Sequence, residues 1–150
     1  MRSEYVLTNL KELNSLISDV YVNVSAINHA VADGQPAPAE SVQQTRDALA
    51  KLNWKAVETA AMLPRDQRGI LRDFQAQALE VSKALDGDLD IAKCQLLLTR
   101  VNAMALGGAQ AIQAVGKYVE LAAHAAKPAL ESFLPRPSVG LEDAGLIQSA

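Results

Sequence analysis

The sequence predicts an all-α fold: an antiparallel bundle of four main helices, long in its first and fourth members, followed by a short C-terminal helical turn and a tail. Three observations predict it. Apolar residues recur at alternating steps of three and four, a spacing that lines one stripe of a helix and cannot line one face of a strand. Glycine and proline fall between these periodic stretches, at Gly34 to Pro38, Pro64 and Gly87, where they end helices. Hydrophobic residues make up 49% of the 150 residues but aromatics only 4%, so the core must be built from aliphatic side chains and alanine.

Helix one is expected from Ser3 to Asp33. Its stripe is Val6, Leu10, Leu13, Ile17, Val20, Val24, Ile27 and Val31, with Glu4, Lys11, Glu12 and Asp19 on the other side. The β-branched members lower helix propensity, so packing must supply the stability. Asn9, Asn14, Asn23 and Asn28 border the stripe, where a dimeric coiled coil would often carry Glu and Lys pairs. Gly34 stops the helix, and Pro36 and Pro38 prevent its continuation.

Helix two is expected from Pro38 or Ala39 to Met62. Val42, Thr45, Leu49, Leu52, Ala56, Thr59 and Leu63 form its stripe, with Trp54 and Val57 broadening it, and Pro64 breaks it. Helix three carries Leu71, Phe74, Ala78, Val81 and Leu85 and ends at Asp86-Gly87. Gly87 suits the left-handed end of that helix, and Asp88 is expected to cap the next, with Asp90 in its first turn. The same stretch is no calcium loop. Its sixth position is Ile91 where glycine is required, and its twelfth is Leu97 where glutamate should close the site.

Helix four keeps its apolar phase from Ile91 to Ala126, straight across Gly107-Gly108, which predicts one helix there. Pro128 predicts an end or kink near Ala126, and it can open a short further turn through Phe133. Residues 1–134 read as one helical domain and 135–150 as a tail without a regular period.

Several classes of function drop out. Fourteen basic against seventeen acidic residues give a net charge of −3, which argues against a general nucleic-acid binder. One cysteine excludes an internal disulfide and a cysteine zinc cluster. Cys94 falls on a buried seam, and His29 and His124 fall on charged faces, so no metal, cofactor or catalytic set is expected. The first residues carry no apolar signal region, and polar residues interrupt Val101 to Ala126, so a cytoplasmic chain without a membrane span is expected.

Two sets of residues stand out. Arg65, Arg68 and Arg72 are spaced to share one face of helix three, near the positive end of its dipole, and suit contact with an acidic protein partner. Lys51 and Lys55 would extend that patch if they lay nearby. Ala103, Gly107, Ala111, Ala114 and Tyr118 form a small-residue stripe on helix four. That helix, at about 57 Å, should outreach helix one at about 45 Å, which suggests a homodimer covering the excess through this stripe. The leading expectation is a non-enzymatic protein–protein interaction module: an adaptor, chaperone or inhibitor working through helix faces. The alternatives are a carrier or sensor of a small hydrophobic ligand, held in an apolar cavity beside Gly107, and an amphipathic protein that binds surfaces.

Overall fold

The computed structural model describes the backbone of residues 2–133 and the side chains of residues 2–125. It contains α1 (Ser3–Ala32), α2 (Ala39–Ala61), a 3-10 turn (Arg65–Gln67), α3 (Gly69–Ala84) and α4 (Ile91–Phe133). No strand occurs among the described residues, and the helices form the all-α bundle that the periodicity predicts. No described helix is long and apolar enough to cross a membrane. The chain divides into two compact units, Met1–Val119 and Glu120–Ala150, with the boundary inside α4. The tail expected from residue 135 lies outside the described residues.

In the first unit, every residue of the predicted α1 stripe, from Val6 to Val31, is buried. The helix ends as its sequence requires: Gly34 takes φ 78°, its amide donates to the Val31 carbonyl, and the Gln35 amide donates to the Ala30 carbonyl. These are the two bonds of a Schellman motif, which satisfy carbonyls the helix end would otherwise leave unpaired. Side chains and backbones that meet across the helices run in opposite sequence order. Glu12 of α1 meets Lys55 of α2 while Asp19 and Asp47 line one furrow between the same helices, Arg46 and Asn53 of α2 meet Asp86 and Gln75, and Ile17 and Leu10 of α1 approach Gly108 and Gly116 of α4.

Two buried threonines sit in the stripe of α2. Thr45 and Thr59 donate their hydroxyls to the carbonyls of Ser41 and Lys55, each at 2.7 Å, so both can be buried without an unpaired donor. Trp54 and Val57 do not broaden this stripe. Both are exposed, Trp54 at 68%. Trp54 lies two positions from both Leu52 and Ala56, about 200° around the helix from each, and so faces away from the core.

Three further expectations are corrected. Asp90, not Asp88, caps α4: its Oδ1 accepts the Lys93 amide at 2.8 Å and its carbonyl accepts the Cys94 amide. Leu89 packs against the core just before the cap, and Cys94 lies buried four residues after it, the positions of a hydrophobic staple that fixes where the helix begins. Pro128 does not end α4, which remains helical through Phe133. Proline removes one amide donor, and its neighbours Ala125, Ala126 and Ala129 are the strongest helix formers. Asn9 does not merely border the α1 stripe. It is 3% exposed, with Nδ2 unpartnered.

Candidate docking groove

The arginines fall on different elements. Arg65 lies in the 3-10 turn, Arg68 at the junction before α3, and Arg72 at the end of the first turn of α3, so they do not belong to one α-helix. The reason is local: Pro64 ends the preceding segment, and the chain winds through a tighter turn before α3 starts at Gly69. Arg68 is half-buried, and its Nε donates to the Leu63 carbonyl at 2.9 Å, closing the end of α2. Arg65 and Arg72 are exposed. Lys51 and Lys55 line the groove between α1 and α2.

The small-residue stripe of α4 is also divided. Ala111 is buried in the core, Tyr118 packs partly against it, and Ala103 and Ala114 face solvent. Gly107 lies under Gln77 of α3, whose Oε1 occupies the space that a Cβ would need. At Gly108 a Cβ would come within 2.5 Å of Ile17 Cδ1 and 2.9 Å of Phe74 Cε1. The close approach that these glycines permit is therefore made inside the chain.

His29 and His124 are exposed, and no group of three or more potential metal-ligating side chains converges among the described residues. Cys94 is buried, and burial, with a smaller contribution from Asp90, pushes its thiol above the ordinary cysteine range.

The feature that sequence reading missed lies between α1 and α2. Lys11, Glu12, Ser15 and Leu16 from α1 face Ala50, Lys51, Trp54 and Lys55 from α2 across an open, mainly apolar groove of about 750 Å³. The α1 and α2 stripes point elsewhere into the core, leaving Leu16 half-buried and Trp54 outside. Lys55 Nζ bridges the helices, 2.7 Å from Glu12 and 3.4 Å from Glu58 of its own helix. Glu12 is the main cause that raises the Lys55 pKa above the ordinary lysine value, against the opposing effect of burial. Lys11 and Lys51 are exposed, and neither forms an ion pair among the described residues. The helical wheel of α2 carried the signal: its stripe is complete without Trp54.

Scans against protein-family models, curated proteins and solved structures find no match to this chain.

Proposed function

We propose that this chain is a non-enzymatic protein–protein interaction module, an adaptor, chaperone or inhibitor that works through the faces of its helices. The observation that carries this reading is Trp54, a large aromatic that is 68% exposed beside an open apolar groove. Tryptophan is the residue type most enriched among binding hot spots, where a flat amphipathic ring is desolvated at little cost in side-chain entropy. The test is affinity capture with the intact chain and with Trp54→Ala in parallel. A protein retained by the first and lost by the second supports the reading. Equal retention by both counts against it.

A second reading, a homodimer through α4, is favoured by one further observation. No charged residue occurs between Arg100 and Lys117, and Leu106 is 63% exposed within that stretch. With Ala111 buried and Gly107 under Gln77, the stripe residues left for a second copy are Ala103, Ala114 and the outer part of Tyr118, now joined by Leu106. Sedimentation of the wild type and Leu106→Lys tests it: a dimer that becomes a monomer supports it, and a wild-type monomer rejects it.

A further inference from the structure

We infer that the groove between α1 and α2 receives an acidic, amphipathic helical segment of a partner protein, its apolar edge against Trp54 and Leu16 and its carboxylates against Lys11 and Lys51. The inference rests on the interaction reading above and names the chemistry of the partner.

Charge complementarity is the argument. The apolar part of the groove is Leu16, Ala50 and the Trp54 ring, and its walls carry Lys11 on α1 and Lys51 on α2. Lys55 adds no open charge: it is shared by Glu12 and Glu58, a group of net −1 that cuts the surplus of Lys11 and Lys51 to one positive charge. That leaves two cations without ion-pair partners on opposite sides of an apolar floor, in a chain whose net charge is −3. The local surplus is therefore not inherited from the composition. A helix with one apolar edge bordered by carboxylates matches this layout, because residues three and four apart share a face.

Beyond Lys51 the furrow between the same two helices turns acidic, with Asp19 and Asp47 among its lining residues. This confines the acidic part of the occupant to the Trp54 end. It also favours a narrow segment over an anionic membrane, whose broad plane would meet Asp19 and Asp47 along with the lysines. A basic segment would face Lys11 and Lys51 directly.

The experiment is selection of a displayed library of random peptides, each of about 16 residues and so about four helical turns. The bait is the intact chain, with counter-selection on Trp54→Ala. Winning peptides are then titrated calorimetrically against the wild type and against Lys11→Glu/Lys51→Glu. Both lysines are exposed, so the double variant keeps the helical circular dichroism of the parent. The expected winners carry a surplus of Asp and Glu beside large apolar residues three or four apart, and bind the double variant about tenfold or more weakly. Winners that depend on Trp54 but are neutral or basic, or that bind both proteins equally, overturn this inference and leave the interaction reading standing. Phosphatidylglycerol vesicles that bind as strongly as the peptides, with the same dependence on the lysines, also overturn it. If no peptide depends on Trp54, and cellular capture is unchanged by Trp54→Ala, both readings fall.

Discussion

Two seams of this bundle are built on opposite plans. Where α3 and α1 meet α4, glycine makes room for large side chains: Gln77 of α3 lies over Gly107, and Phe74 of α3 and Ile17 of α1 fill the space over Gly108. Where α1 meets α2, the helices are bridged from outside by Lys55 and Glu12, and the space between them stays open beneath an exposed tryptophan. The first seam places its large side chains inside and the second leaves one outside. The comparison teaches that Gly107 and Gly108 mark where the chain closes on itself, while Ala103 and Ala114 of the same helix stay exposed. The surface open to another molecule lies where the packing stripe has turned away.

The sharpest way to break the comparison is to empty the closed seam. Phe74 is 1% exposed, and Phe74→Ala should destabilise the fold by about 4 kcal/mol, combining lost burial with a residual cavity. Urea unfolding followed by circular dichroism measures this, and a loss below about 1 kcal/mol would mean that the seam is loosely packed. Overfilling it comes next. Gly108→Leu forces a branched side chain against Ile17 and Phe74 and should cost about 3 kcal/mol by the same measurement, even though leucine is the better helix former.

The open seam should respond far less. Lys55→Met removes a partly exposed ion pair and should cost about 0.5 kcal/mol at neutral pH. Because Glu12 raises the Lys55 pKa, the folded state binds that proton more tightly than the unfolded state does. The contribution is thus complete below the ordinary lysine range and fades as pH rises through and above it. Thermal melts of wild type and variant should converge in strong alkali, and a gap that widens there would contradict the assigned cause. Trp54→Ala should change stability least, by less than about 0.5 kcal/mol, since most of the ring is in water already. A large loss would make Trp54 a structural residue and remove the basis of the docking groove.

The architecture was legible wherever one physical signal dominated. The α1 stripe named its buried residues from Val6 to Val31, Gly34 and Gly87 took the positive φ values that their places at helix ends required, and an unbroken phase carried α4 across Gly107-Gly108. Legibility failed where neighbouring signals competed. Asp88 and Asp90 are equally good capping side chains, and the placement of Leu89 against the core decided between them. The arginine spacing implied a shared face only if α3 began before Arg65, and the turn after Pro64 moved its start to Gly69. Hydrophobicity alone puts Trp54 in the α2 stripe, whereas its angular distance from Leu52 and Ala56 puts it outside, and the angle prevails. The bridge between Lys55 and Glu12 depends on the register of two helices distant in sequence, which no single periodic pattern carries.

One consequence of the exposed ring is optical. Trp54 is the sole indole of the chain and remains largely hydrated in the native state. Its emission should barely change when the bundle melts, because water surrounds it before and after. It should shift to shorter wavelength when a ligand covers it. In this protein the intrinsic chromophore is a poor witness of unfolding and a direct one of occupancy.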